Sequence, residues 1–163
     1  MIRPLTWLIP CLAVASGGIA TLAVVSAQEN RSQREASLET GVRGHGKLVF
    51  VLTTGLEDLQ SVNMAVRHAG MAKKSGFLDD SVLLVYGRAV QALSKNITAK
   101  PPQLAAALKE AKDAGARILV CGEAIKRFNI PKEDLDPAVD DVVPNAIVTL
   151  AELVSKGYQV IKY

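Results

Sequence analysis

The stretch RILVCG, residues 117–122, decides how this chain is interpreted. An apolar run typical of a buried strand ends at a thiol, Cys121, and a short helix-like segment, Glu123 to Phe128, begins directly after it. Parallel α/β sheets place their chemistry at such junctions, outside the carboxyl end of a strand. Cys121 is therefore the first candidate for a functional side chain.

Strands and helices alternate on both sides of this stretch. Apolar runs bounded by turn residues predict strands, and apolar residues at helical spacing predict helices between them. Strands are predicted at Leu48 to Leu52, Val82 to Tyr86, Ile118 to Val120, Val139 to Val143 and Tyr158 to Lys162. Helical segments are predicted from Thr54 to Gly76, Gly87 to Lys95, Pro101 to Gly115 and Pro144 to Lys156. This order predicts an α/β fold in three layers, with a mainly parallel sheet of about five strands flanked by helices.

Small and polar residues follow the first three predicted strands. Right-handed crossovers bring the carboxyl ends of parallel strands to one edge of the sheet, where ligands bind. We predict that Cys121 is the catalytic residue there, since the positive end of the following helix favours a thiolate and Arg88 favours it further if it reaches. The predicted ligand-binding residues around it are Thr53, Thr54, Gly55, Gly87, Arg88, Gly122 and Glu123.

Simpler interpretations of the same residues stay open. Cys121 at a strand end can be a core residue, and Arg88 can be a solvated charge. Thr54 and Glu57 form the pattern T-x-x-E, so a capping box at the start of the first helix explains Thr54 by itself.

Residues 1–27 have the pattern of an export signal. Arg3 is their only charge, residues 5–25 are almost continuously apolar, and residues 25–27 (VSA) suit a signal peptidase. We expect cleavage after Ala27 and a periplasmic or secreted protein. The apolar stretch is about 20 residues long, so an uncleaved membrane anchor over residues 5–27 is the alternative.

Export leaves one cysteine in the mature chain. Cys11 lies inside the signal, and a lipoprotein site there is disfavoured because Pro10 precedes it and the apolar run continues past it. No intramolecular disulfide can then form, so Cys121 is either a buried small hydrophobe or a free reactive group.

Residues 28–46 differ in composition from the rest. They carry charges of both signs, three glycines near the end and almost no large apolar side chains, which predicts a disordered linker. Residues 47–163 form the predicted α/β domain and are long enough for one core.

Composition and spacing argue against several functions. The 19 Lys and Arg nearly balance the 16 Asp and Glu, and aromatic residues are only 4% of the chain, so nucleic-acid binding is not predicted. A closed zinc site needs about four ligands, but Cys121 is accompanied only by His45 in the linker and His68 in mid-helix, away from the strand ends. No phosphate-binding or dinucleotide fingerprint follows a strand, so no cofactor is predicted, and no hydrolase or oxidoreductase pattern is present.

Four segments of the chain resemble the DsrE/DsrF-like family of small sulfur-relay proteins. The resemblance runs from Leu48 to Tyr163 and is most specific at Val120-Cys121-Gly122, with Ile130, Asp134 and Leu135 downstream. The segments are TTG after the first strand, VLLVYGRAVQAL, RILVCGEAIKRFNIPKEDL and VVPNAIVTLAELVSKGYQVIKY.

The resemblance implies a flavodoxin-like fold, homo- or hetero-oligomers, and a persulfide role for Cys121 with protein sulfur donors or acceptors as partners. The apolar composition, 49% of the chain, independently suggests a patch for self-association as a homo-oligomer. Two function hypotheses follow. The first is an exported sulfur relay or persulfide carrier, and the second is a noncatalytic module that binds a small ligand or protein at the same edge.

Overall fold

A computed structural model describes residues 46–97 and 100–163. The predicted signal, residues 1–27, and the predicted linker before Gly46 lie outside the described residues. Within the described ranges, no helix is both long and apolar enough to cross a membrane.

Five parallel strands form one sheet in the order β4-β3-β2-β1-β5. The strands are β1 (Gly46–Leu52), β2 (Leu78–Val85), β3 (Arg117–Cys121), β4 (Asp141–Val143) and β5 (Gln159–Lys162). The α-helices are α1 (Leu59–Lys74), α2 (Pro102–Asp113), α3 (Gly122–Arg127) and α4 (Ala146–Ser155). In the described part of the chain, 3-10 segments cover Leu56–Asp58, Gly87–Leu93 and Lys132–Asp134. The predicted α/β class is confirmed, and the sheet is parallel throughout.

The strand order assigns the helices to the two faces of the sheet. The first three crossovers all step in the same direction, from β1 through β2 and β3 to β4. Because crossovers between parallel strands are right-handed, α1, α2 and α3 lie on one face. The last crossover returns from β4 to β5 at the opposite edge, so α4 covers the other face.

The core lies along the middle strands. Residues 82–85 of β2 and residues 49–52 of β1 are buried without alternation, as expected when helices cover both faces of a parallel sheet. Ser81 is a buried polar residue in β2, and its hydroxyl donates a 2.8 Å hydrogen bond to the carbonyl of Ala69 in α1. This bond ties the first crossover helix to the central strand.

The first helix begins later than its sequence pattern predicts. Thr54 does not cap it, so the predicted capping box is wrong. Glu57 accepts a hydrogen bond from the Gly55 N–H at 3.2 Å within the turn that leads to the 3-10 segment, and α1 starts only after that segment. Asp58 is the true cap, since its carboxylate accepts a 3.0 Å hydrogen bond from the Ser61 N–H.

A polar cluster holds together the amino end of the sheet. Arg117 of β3 donates to the Asp80 carboxylate of β2 at 2.5 Å and to the Tyr158 hydroxyl at 3.0 Å, and Tyr158 also donates to Asp80. Burial raises the pKa of Asp80, but the hydrogen bonds from Arg117 and Tyr158 outweigh burial and bring that pKa below its ordinary value of 3.8. The ionised form of Asp80 is therefore favoured in the folded state.

Replacing Asp80 by Asn should destabilise the fold in a pH-dependent way. A carboxyl whose pKa is lowered by folding contributes stability above its unfolded pKa, and this contribution is lost as pH falls through the folded value. We expect D80N to lower the free energy of unfolding by about 1 kcal/mol at neutral pH. The gap to wild type should shrink as the pH falls below 3.8.

Urea unfolding of both proteins between about pH 7 and about pH 2 measures this gap. Asp113→Asn is the matched control, because Asp113 pairs with Lys109 on an exposed helix surface and should matter less. A D80N penalty that stays constant down to the lowest pH would contradict the assignment.

Candidate functional site

A cleft of about 210 Å³ opens at the carboxyl edge of the sheet, where β3 and β4 end. The connections leaving these neighbouring strands diverge, because α3 goes to one face and α4 to the other. Such a divergence leaves a crevice between the two loops, and ligands of open α/β sheets bind there. The lining residues are Tyr86, Gly87, Cys121, Glu123, Ala124, Arg127, Phe128, Asn145, Ala146 and Ile147.

Cys121 lies in this lining with a free thiol. It is the last residue of β3, pairs in register with Val143 of β4, and is the N-cap residue of α3. Its relative exposure is only 6%, so the residue is covered almost completely. The first backbone N–H groups of a helix have no partner within the helix, and those of α3 begin directly after Cys121.

Helix α3 supplies one wall of the cleft. Glu123 and Arg127, and likewise Ala124 and Phe128, are four residues apart and so share one helix face. Arg127 forms no ion pair with any residue in the described part of the chain. A guanidinium therefore lines the same cleft as the thiol without an anionic partner among the residues described.

Asn145 joins the two walls. Its side-chain oxygen accepts hydrogen bonds from the Ile147 and Val148 N–H groups at 2.9 and 3.2 Å, which caps α4. Its side-chain nitrogen donates to the Glu123 carboxylate of α3 at 3.2 Å. One amide thus links the helix starts that follow β3 and β4.

The structure places three of the predicted site residues, Gly87, Cys121 and Glu123, in the cleft lining. Gly122 lies behind this lining, where an added Cβ would come within 3.2 Å of the Val143 carbonyl oxygen. The remaining four predicted residues, Thr53, Thr54, Gly55 and Arg88, do not line the cleft.

These four residues belong to the loops after β1 and β2. Thr53 bonds to Tyr163, because its backbone N–H and its hydroxyl each donate to that carbonyl at 3.2 Å. The Arg88 guanidinium pairs with the Glu57 carboxylate at 3.1 Å, and the Arg88 Cβ would lie 3.0 Å from a Cβ at Gly55. The anionic partner of Arg88 is therefore Glu57 and not Cys121.

Residues that the sequence predictions missed make up most of the lining. Tyr86 ends the predicted second strand, and Arg127 and Phe128 follow from helical spacing once Glu123 and Ala124 face the cleft. Asn145 carries the clearest sequence signal, since a good N-cap residue follows the fourth strand and precedes an apolar helix.

No group of three His, Cys, Asp or Glu side chains that could hold a metal is found within residues 46–97 and 100–163. Nδ1 of His68 lies 2.5 Å from the Tyr163 hydroxyl, and His68 is not part of the cleft. Asp140 accepts a 2.7 Å hydrogen bond from the Ile118 N–H, so its carboxylate helps to hold the loop before β4 in place.

The parallel five-stranded sheet with helices on both faces, and a cleft at the carboxyl end of β3, define the molecule as a small open α/β protein. A family model for the DsrE/DsrF-like family matches residues 46–163, and the chain belongs to that family. The comparison with curated proteins yields no match.

Solved structures share the fold at low sequence identity. The ychN protein from E. coli aligns with a TM-score of 0.58 at 17% identity, covering 72% of this chain and 99% of its own. BT1422 from Bacteroides thetaiotaomicron, described as a conserved protein of unknown function, gives 0.56 at 20%, covering 72% and 94%. MTH1491 from Methanobacterium thermoautotrophicum, also described as of unknown function, gives 0.55 at 19%, covering 72% and 99%.

Removing Arg127 should slow the alkylation of Cys121. The thiolate is the reactive form of a cysteine, and Arg127 is a guanidinium that lines the same cleft. We expect Arg127→Ala to reduce the rate of reaction with iodoacetamide at neutral pH by about threefold or more. Arg88→Ala is the matched control and should leave the rate unchanged, because Arg88 pairs with Glu57.

Mass spectrometry of the quenched protein gives both rates. Equal slowing by the two substitutions would contradict the assignment of Arg127. A Cys121 that reacts only after unfolding would place the thiol in the core and remove it from the candidate site.

Proposed function

We propose that this protein is an exported sulfur carrier that holds sulfane sulfur as a persulfide on Cys121. The observation that carries the proposal is the position of the free thiol in a cleft at the carboxyl end of β3 that Arg127 also lines. Membership in the DsrE/DsrF-like family supports sulfur relay as the general activity.

The proposed reaction is a sulfur transfer without net oxidation. The Cys121 thiolate attacks the outer sulfur of a donor persulfide and forms a new S–S bond, while the donor's own S–S bond breaks and the electron pair leaves on the donor thiolate. Transfer to an acceptor thiolate repeats the step, with Cys121 as the leaving thiolate. Persulfides and thiolates are anions, which the guanidinium of Arg127 attracts.

The small volume of the cleft suits a carrier. A space of about 210 Å³ admits an extended cysteine side chain but leaves little room for a large substrate. With 6% exposure at Cys121, a bound persulfide has restricted contact with water and with stray thiols. The donor and acceptor are therefore proposed to be proteins that present a cysteine at the mouth of the cleft.

We propose a homo-oligomer whose contact surface lies on α4. Ile147, Val148 and Val154 are apolar and exposed on this helix. Ile147 also lines the Cys121 cleft, so a neighbour packed on α4 would lie at its mouth. Exposed apolar patches of this kind mark protein contacts in soluble proteins.

Export belongs to the same proposal and rests on the pattern of residues 1–27. Its consequence is that the sulfur donor and acceptor lie outside the cytoplasm. A retained anchor over residues 5–27 would instead hold the carrier at the membrane.

A noncatalytic binding module is the second candidate, favoured by the near-complete burial of Cys121. In that case the thiol only lines the cleft, and a small ligand or a protein side chain occupies it.

Incubation with a polysulfide donor should separate the two functions. The carrier gains one sulfur mass in intact-mass analysis, a reductant removes it, and Cys121→Ser abolishes the gain. We expect this near-isosteric change to leave the free energy of unfolding within about 1 kcal/mol of wild type. A folded wild-type protein that takes up no sulfur at Cys121 would favour the binding module.

Charge placed on α4 should reduce the size of the oligomer. Val148→Asp puts a carboxylate on the proposed contact, and Phe77→Asp is the control with similar exposure, 69% against 67%, away from α4. Sedimentation velocity at about 50 µM should show a smaller species for V148D than for F77D and wild type, because a buried unpaired charge is costly. Equal sizes for all three proteins would refute the α4 contact.

A further inference from the structure

A second concave surface lies between α1 and α2, on the face of the sheet opposite α4. This groove has a volume of about 630 Å³ and shares no lining residue with the Cys121 cleft. Because α1 and α2 run back from the carboxyl edge, their later turns, which form the groove, lie toward the amino edge. The lining residues are Arg67, Gly70, Met71, Lys74, Ala107, Glu110, Ala111, Asp113 and Ala114.

The floor of the groove consists of small residues. Gly70 and Ala111 approach so closely that a Cβ added at Gly70 would lie 2.8 Å from the Ala111 Cα. Ala107 and Ala114 extend this floor along α2. Met71 lines the groove beside Gly70 and is 66% exposed, so a flexible apolar side chain lies next to a space that could receive another one.

The two sides of the groove carry opposite charges. Arg67 and Lys74 lie on α1, and Glu110 and Asp113 lie on α2. Asp113 pairs with Lys109 on its own helix at 2.6 Å. The other three have no ion-pair partner among residues 46–97 and 100–163. Arg67, Lys74 and Glu110 are exposed and available to an occupant with the reverse arrangement. Asp113, in contrast, would have to exchange Lys109 for a new partner.

We propose that the occupant is a second copy of this chain, docked face to face through α1 and α2. A twofold axis running along the groove places α1 of each copy over α2 of the other, so each basic side meets an acidic side. The same operation directs Met71 of each copy toward the alanine floor of its partner. A twofold axis across the groove would instead oppose α1 to α1 and basic side chains to each other.

The exposure of these charged side chains limits the strength of the contact. Ion pairs between exposed side chains contribute little each and are screened by salt. The two-fold contact is accordingly weak, and it is strongest at low ionic strength. It leaves the carboxyl edge with Cys121 open.

Charge reversal and its complement test the proposal. Arg67→Glu with Lys74→Glu should raise the dissociation constant of this contact about tenfold or more at low salt. Glu110→Lys with Asp113→Lys should do the same. An equimolar mixture of the two double variants should restore association, because each reversed side then meets an opposite charge on the other protein.

Sedimentation equilibrium of the purified proteins, at about 50 mM and about 500 mM salt, gives the constants. Lys95→Glu with Lys126→Glu is the control for the Arg67 and Lys74 variant, since it makes the same change in net charge at exposed sites outside both cavities. Circular dichroism checks that each variant is folded.

Restored association in the mixture, with the control at the wild-type value, supports the two-fold contact. Double variants that associate as strongly as wild type overturn it, and so does a mixture whose association is not restored. It is also overturned if wild type at low salt shows no association that these charge reversals weaken. In those cases the groove is open to another occupant, such as a zwitterionic small molecule. Alkylation of Cys121 should not change in any groove variant, which separates this test from that of the proposed function.

Discussion

The handedness of the crossovers determines where this molecule can do chemistry. Three steps in one direction place α1, α2 and α3 on one face of the sheet, and the single return step places α4 on the other. Among the strands of the described residues, only the neighbours β3 and β4 are followed by helices that diverge in this way. The cleft opens between them, and Cys121 ends one of the two strands.

Burial restricts the site to this edge. The middle strands are covered on both faces and have no side chains to offer a ligand except at their ends. The loops that form the edge are held by their own contacts. A nearly buried ion pair between Lys100 and Asp136 joins the segment after β2 to the loop before β4. Two backbone hydrogen bonds of 2.7 Å join the same segments, from the Lys95 N–H to the Asp134 carbonyl and from the Asp136 N–H to the Leu93 carbonyl.

The sequence was sufficient to predict the fold class and the position of Cys121 at a strand end, because apolar periodicity and turn residues are local signals. It was not sufficient to predict which strand ends come together. Thr53 and Arg88 follow earlier strands, but β2 separates β1 from β3 in the sheet, and Glu57 holds the Arg88 guanidinium. Strand order and ion pairing are tertiary properties that no local pattern reports.

The same limit explains the errors of detail. The T-x-x-E pattern is a real capping signal, but a 3-10 segment precedes the helix here. The capping bond therefore comes from Asp58, one residue beyond Glu57. Asn145 was missed as a site residue because capping alone explains it. Its second contact, to Glu123 across the cleft, depends on how α3 and α4 diverge.

The double role of Asn145 makes the cleft sensitive to chemical ageing. Deamidation turns the side chain into a carboxylate, which still accepts the N–H bonds of α4 and is an equally good cap. The new carboxylate cannot donate the 3.2 Å hydrogen bond that Asn145 makes to Glu123. The two carboxylates instead repel each other. An aged molecule would thus keep its fold and its Cys121 thiol while the two walls beside that thiol separate.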